Sequence, residues 1–388
     1  MNEAVISEAI RTPVGRRGKA LRDVHPVDLL AHLMGQLVER TGIDPGLVDD
    51  VIVGCVSQIG EQSTNIGRNA WLSAGLPESV PATTIDRQCG SSLQAIHFAA
   101  QGVMAGVYDL VIAGGVESMT RVPMGSPFRT EYGTPLTENL RKRYKLDGFF
   151  NQAVGAQMIA ERWGLTREDL DRFSLESHRR ATRAREQGYF EREIVPVPVR
   201  DAEGREVLFR HDEGIRPDTS MEALAGLEPP FPGLDLITAG NASQISDGAS
   251  LSLIASPRMA QRLGLPVRAR FVAFSVVGVD PVTMLTGPIP ATQKVLARAG
   301  LTVEDIDLFE VNEAFAPVVL AWQKEIGADL ERVNVNGGAI ALGHPLGATG
   351  GRLMATLLAE LERRQGRYGL IAICEGGGMA NGTVIERL

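Results

Sequence analysis

The sequence predicts an α/β fold made of two related halves with a segment inserted in the first. Three observations predict it: β-rich apolar runs alternate with helical patterns, one stretch recurs in the second half, and a middle region lacks any counterpart. Strands are expected at residues 50–56, 110–113, 249–254, 267–277, 308–312 and 370–374, where short apolar runs are bounded by turn residues. A helix is expected from Ser91 to Val107, with Leu93, Ile96, Ala100, Val103, Met104 and Val107 on one buried face.

The recurrence is gapless. GIDPGLVDDVIVGC from Gly42 aligns with GLTVEDIDLFEVNE from Gly300, pairing Val51 with Phe309 and Val53 with Val311. YDLVIAGG from Tyr108 aligns with YGLIAICE from Tyr368, so the offsets are 258 and 260. Chance likeness between helix-turn-strand units is the competing explanation. The halves are placed at 1–119 with 240–266 and at 267–388, the insertion at 120–239. Within the insertion, Thr166 and Asp169 make a capping-box start for a helix whose stripe is Leu170, Phe173, Ser177, Ala181 and Ala184, stopped by Gly188. Arg141, Lys142, Arg143 and Lys145 read as a solvated loop, with subunit contact or attraction of a phosphorylated ligand as sharper readings.

Composition narrows the function. The 388 residues carry a net charge of −8, which argues against a nucleic-acid partner. No apolar run is long enough to span a membrane, and the N-terminal residues lack a signal-peptide pattern, so a cytoplasmic protein is expected. Three cysteines, at 55, 89 and 374, suit neither a disulfide framework nor a CxxC metal site and indicate a reducing compartment. The 43 glycines, about 11% against a usual ~7%, call for places where backbone approaches backbone or ligand.

Four positions could carry chemistry. Cys89, in DRQCGSS, precedes the buried helix, whose N-terminal N–H groups and dipole would favour its thiolate; the plain alternative is a small core cysteine. His344 lies in GGAIALGHPLGATG, which is neither a dinucleotide nor a P-loop signature, and suits a general base or a turn histidine. Cys374 ends a strand before three glycines that could turn N–H groups toward an oxygen. Asn312 ends the strand that echoes residues 50–54 and offers an uncharged donor and acceptor.

Together DRQCGSS, GGVESMTRVPM, TAGNASQISDGA, TGPIPAT, NEAFA, GGAIALGHPLGATG and CEGGGMA, in this order, resemble the thiolase family along essentially the whole chain. The resemblance implies a duplicated, five-layered αβαβα core with an inserted loop domain. It implies that Cys89 is the acylated nucleophile, His344 the base that activates it and part of an oxyanion site, and Cys374 the thiol that shuttles a proton. By the same resemblance Asn312 holds a water at one oxyanion hole, and the N–H groups of Cys89 and Gly376 form the other. Arg216 and Ser243 match positions that contact coenzyme A, while Met284 and Phe315 lie where the acyl group is expected.

The implied activity is CoA-dependent cleavage of 3-ketoacyl-CoA to acetyl-CoA and a shortened acyl-CoA. Coenzyme A is then a co-substrate, with no metal and no prosthetic group. Arg87 and Gln88 before Cys89, and Ala153-Val154-Gly155 in the loop domain, depart from biosynthetic members and favour the degradative branch. The alternatives are condensation of two acetyl-CoA, or thiolysis of bulky or steroid side-chain esters, which CEGGGMAN resembles. A ketoacyl synthase would need a second matching His, and a non-catalytic acyl-CoA binder would not need all four residues. A homodimer or homotetramer is implied, with possible association with other β-oxidation enzymes.

Overall fold

The structure is a computed structural model and describes residues 2–128, 131, 133–230 and 232–388. In chain order its strands are β1 (Val5–Arg11), the short β2 (Gly15–Arg16), β3 (Asp50–Gly54), β4 (Ala82–Ile85) and β5 (Leu110–Ser118), then a separate hairpin of β6 (Val197–Arg200) and β7 (Glu206–Phe209). There follow β8 (Ser246–Ala255), β9 (Ala269–Gly278), β10 (Leu308–Val311), β11 (Tyr368–Glu375) and β12 (Met379–Arg387). One sheet runs β4-β3-β5-β8-β1-β9-β12-β11-β10, with β2 paired to β8. Its two halves repeat one plan: a parallel pair, β3 with β5 or β10 with β11, then two antiparallel neighbours. They meet at β1 and β9 through only two residue pairs, Val5 with Arg270 and Ile6 with Ala269.

The register corrects the sequence alignment. Asp50 faces Val111 and Leu308 faces Gly369, so both strands of the parallel pair repeat at an offset of 258, and Leu110, not Tyr108, corresponds to Tyr368. The second alignment slipped by two residues. A slip of two leaves every side chain on its own face, so hydrophobic alternation could not detect it.

Helices cover and separate the half-sheets. α1 (Pro26–Thr41) and α2 (Ile66–Ser73) lie outside the first half, where α1 shares a core with Val51, Val53, Leu110 and Ile112. Ile52, Val111 and Ala113 point the other way, onto α3 (Ser91–Met104). Along the rest of the chain come α4 (Glu138–Tyr144), α5 (Gln152–Arg162), α6 (Arg167–Glu186), α7 (Met221–Ala225), α8 (Pro257–Leu263), α9 (Pro288–Ala299), α10 (Ala316–Ile326), α11 (Ala339–Leu342) and α12 (Thr349–Arg364). α12 packs beside α3 and meets Ile371, Ile373 and Ile385 of the second half, while α9 and α10 cover that half's outer face with Trp322 beside Phe309. The result is a five-layered αβαβα arrangement. Both central helices are buried nearly all round, including every residue of α12 from Thr349 to Leu361, as expected of helices held between two apolar sheet faces.

Some elements differ from expectation. α3 stops at Met104, because Gly106 adopts φ +75 and Gly102 must admit Tyr108; Val107 is therefore solvent-exposed instead of on the buried face. β5 runs to Ser118, well beyond residue 113, since β8 pairs with its whole length. The basic run lies on the exposed α4, not in a loop: Thr137 caps it, Lys142 pairs with Glu138, and Lys145 ends it at φ 52. In α6 the capping box between Thr166 and Asp169 is present, and Leu170, Ser177, Ala181 and Ala184 are buried.

Ile96 sits at the centre of the helix layer and Val107 outside it. Ile96→Ala is expected to cost about 2–5 kcal/mol in denaturant unfolding, against less than about 0.5 kcal/mol for Val107→Ser.

Candidate active site

Two motif residues reach the same place through opposite ends of strands and helices. Cys89 follows β4 and immediately precedes α3, whose N-cap is Gly90. The turn that presents it is tight: Gln88 sits at φ 49, its N–H donates to Asp86, and the Ser91 hydroxyl donates to the Gln88 carbonyl while accepting from the Arg87 N–H. Cys374 lies one residue from the end of β11, before a turn in which Gly377 and Gly378 both take φ +78. A side chain at Gly378 would strike the Val279 carbonyl, so this turn requires glycine there.

Burial first, and then the nearness of Cys89, raises the Cys374 thiol. The N–H groups of Gly376 and of Cys89 itself, with the Gln152 side chain from the start of α5, are directed at the Cys89 sulfur. Burial nevertheless dominates, and with Glu375 it pushes the Cys89 thiol up to about 12; Cys374 is raised in the same way. This overturns the expectation of a helix-stabilised thiolate. Desolvation outweighs the helix end, so both residues rest as thiols.

His344 occupies the other side of the site. Its loop is held by its own N–H, which donates to the Gln244 carbonyl and the Ser246 hydroxyl, and Gly343 at φ +103 leaves room for that hydroxyl. The ring is gripped at both nitrogens. Nδ1 lies 2.7 Å from the Thr349 hydroxyl, which itself donates to the Pro345 carbonyl at 2.8 Å. A hydroxyl has one proton to give, so Thr349 accepts from Nδ1–H, and Nε2 carries the lone pair, which the Asn312 amide approaches only at long range. Asn312 Nδ2 lies 3.4 Å from that Nε2, and Asn312 is fixed through its own N–H to the Ala372 carbonyl. Burial, helped by Arg352, lowers the ring to about 3, so the imidazole is neutral at ordinary pH.

The two sides are bolted together at the helix starts. Gly351 N–H donates to the Ser92 hydroxyl at 3.0 Å, and a side chain at Gly350 would meet the Leu93 nitrogen at 2.5 Å. Cys89, Cys374, Gly376, His344 and Asn312 thus gather at the C-terminal ends of β10 and β11 and the N-termini of α3 and α12. Met284, at φ 32, and the half-buried Phe315 share an apolar cluster with Cys374. Ser243 is tied to the Ala314 carbonyl beside Phe315. Arg216 is exposed and apart from this cluster, anchored by its N–H to His178.

Supporting residues went unnoticed in the sequence. Glu117, in GGVES, is fully buried and accepts N–H groups from Val56, Ser57 and Gly347 plus the Gln62 amide, clamping the His344 loop to the end of β5. Glu313, in NEAFA, accepts from Ser177, Asn334 and Ile340 and fixes the same loop from the other side. Glu375 lies against Gly90, where any side chain would collide with its carboxyl, and burial raises it well above the usual carboxylate range. A charged residue inside an otherwise apolar motif was the available signal for Glu117 and Glu313, while Glu375 stands out in CEGGGMAN as a departure from the apolar residue common after the cysteine.

Comparison with known proteins agrees with this geometry. The thiolase N-terminal domain model matches residues 4–258, and the thiolase C-terminal domain model residues 265–387. The chain belongs to the thiolase family. Among curated thiolases it is 52% identical to a steroid 3-ketoacyl-CoA thiolase of Mycobacterium tuberculosis, covering 100% of this chain and 95% of that one. It is 44% identical to a 3-ketoacyl-CoA thiolase of Aliivibrio fischeri, with both chains covered in full. The solved structure of a Bacillus anthracis acetyl-CoA acetyltransferase superposes with a TM-score of 0.91 at 40% identity, covering 100% of this chain and 99% of that one. Among the described residues of this thiolase, no helix is long and apolar enough to cross a membrane.

Two measurements check the site. Thr349→Val keeps shape but removes the acceptor for Nδ1–H, and turnover is expected to fall about tenfold to a hundredfold, with Thr349→Ser restoring most of it. A raised thiol ionises only as pH climbs toward its own value, so the rate of Cys89 alkylation by iodoacetamide, followed by intact mass, should still be rising through pH ~9.5. An ordinary thiol, half ionised near pH ~8.5, is by then about nine-tenths thiolate and levelling off.

Proposed function

We propose that this thiolase cleaves 3-ketoacyl-CoA with coenzyme A to give acetyl-CoA and an acyl-CoA shortened by two carbons. The observation that carries the reading is the convergence of two buried thiols and one neutral, tautomer-fixed imidazole. His344 Nε2 takes the Cys89 proton as the sulfur attacks the C3 ketone. The N–H groups of Cys89 and Gly376 stabilise the resulting oxyanion as the C2–C3 bond breaks, an interaction of several kcal/mol when preorganised. The acetyl-CoA enolate, its oxygen held near Asn312 and His344, receives the Cys374 proton at C2. Incoming CoA then gives its thiol proton to Cys374 and attacks the acyl-Cys89 carbonyl, and His344 returns its proton to the departing Cys89 sulfur. The proton count closes with no metal and no redox partner.

Coenzyme A is read as running past Ser243 toward the exposed Arg216, with the acyl chain against Met284 and Phe315. The Aliivibrio relative supports the degradative direction over condensation of two acetyl-CoA. A second reading, a bulky polycyclic acyl group, is favoured by the 52% identity to the mycobacterial steroid thiolase together with CEGGGMAN. The same reading takes the protein as cytoplasmic, homodimeric or homotetrameric, and open to association with other β-oxidation enzymes; exposed Met124 and Phe128 support contact with another chain.

Loss of 3-ketoacyl-CoA absorbance on adding CoA tests the reading, across a panel from C4 upward that includes a steroid side-chain ester. Cys89→Ala should abolish turnover, and full activity there would remove Cys89 as nucleophile. Cys374→Ser should turn over at least a hundredfold more slowly while acyl-Cys89 still accumulates by intact mass.

A further inference from the structure

The two residues that grip the His344 ring each have a charged neighbour on the same face of their own element. On α12, Arg352 lies three residues after Thr349, which places it one turn further along the same helix face. On β10, Glu310 lies two residues before Asn312, which places both on the same side of the strand. Helix α12 packs against β10, and the ring sits between Thr349 at the start of the one and Asn312 at the end of the other, so the elements that carry these neighbours meet beside the imidazole.

Both are deeply buried, Arg352 at 1% exposure and Glu310 at 3%. Arg352 is also unusual in its bonding: among the described residues Nε, Nη1 and Nη2 find no hydrogen-bond partner, and neither does Glu310 Oε2. The other charges in reach are already committed. Arg11, on β1, binds Glu193 at 2.6 Å and Asp212 at 2.7 and 3.0 Å, and Glu193 also accepts from Thr356 on α12. Glu313, beyond β10, is saturated by Ser177, Asn334 and Ile340, and Glu360, further along α12, is bound by Asn336, Arg363 and Arg364. Glu310 is therefore the principal counter-charge left for Arg352, and it does not cancel it fully.

We infer that Arg352 is a positioning residue of the reaction: its buried, incompletely neutralised cation makes a second positive charge on His344 costly and so keeps the base unprotonated. Surface charges could not do this, since solvent would screen them. Here both groups are buried, Arg352 at 1% exposure and His344 at 4%. The lowering of His344, caused first by burial and second by Arg352, agrees with that placement, while burial raises Glu310 to about 8 against the pull of Arg352, so its carboxyl leaves the guanidinium largely uncancelled. Thr349 and Arg352 then act in complement, since the hydroxyl selects which nitrogen carries the single proton and the guanidinium discourages a second.

The inference rests on His344 acting as the base, and its test does not depend on turnover. Histidine ring NMR of the full-length protein separates six histidines, with His344 assigned by its absence in His344→Asn. In the wild type the His344 ring is expected to stay neutral at pH ~5. Arg352→Met should show a protonated fraction at that pH, a shift of at least one pH unit, while Arg352→Lys stays neutral as in the wild type. A ring still neutral there in Arg352→Met, or protonated equally in Arg352→Lys, overturns the inference. Should Arg352→Met not fold, Arg352→Gln, which is uncharged but can still hydrogen-bond, takes its place: a protonated fraction at pH ~5 is expected, and a ring still neutral there overturns the inference. Full activity in His344→Asn would sink the reading of His344 as base and leave the ring titration to stand on its own.

Discussion

The packing of α3 against α12 is the contact on which the rest depends. Each helix belongs to a different half of the duplicated sheet, and each carries at its N-terminus one side of the site. Gly350 lets the second helix start within backbone distance of Leu93, and the Gly351 N–H ties it to the Ser92 hydroxyl. Any residue with a β-carbon at Gly350 would push the helices apart, because the obstacle is main chain and cannot rotate away. The separation of Cys89 from His344 is thus set by one missing side chain, at Gly350, and by the apolar faces that clamp both helices.

Burial has opposite effects on the reacting groups, and both are useful. It raises two thiols and lowers one imidazole, so every member of the site is uncharged before substrate arrives. A proton passing from Cys89 to His344 then creates a charge pair only when there is an electrophile to consume it. Glu117 and Glu313 are the complement of this arrangement. They are buried acids surrounded by donors, and they hold the His344 loop in place without entering the chemistry.

Much of this was legible in the sequence for a physical reason. Periodicity records burial, so α3, α6 and the repeated parallel strands could be read directly, and the motif glycines and cysteines marked where backbone crowds a reactive atom. What escaped were facts that depend on distant partners. A two-residue slip in the repeat leaves alternation unchanged, and the register of β11 against β10 was needed to reveal it. Val107 fits the helical stripe, but Gly106 ends the helix before it. The protonation of Cys89 could not be read from its place at a helix start, because the burying surfaces come from β11 and α5. Thr349 and Arg352 looked like ordinary helix residues until the ring beside them was seen.

The seam between β1 and β9 gives the duplication its permanence. Two residue pairs are too few to hold large half-sheets in a fixed relation, so their alignment falls to the shared helix layer. Neither half owns a complete interior: separated, each would present a bare apolar sheet and a helix stripped of one side. A gene split at the boundary would therefore yield two insoluble fragments instead of two simpler enzymes.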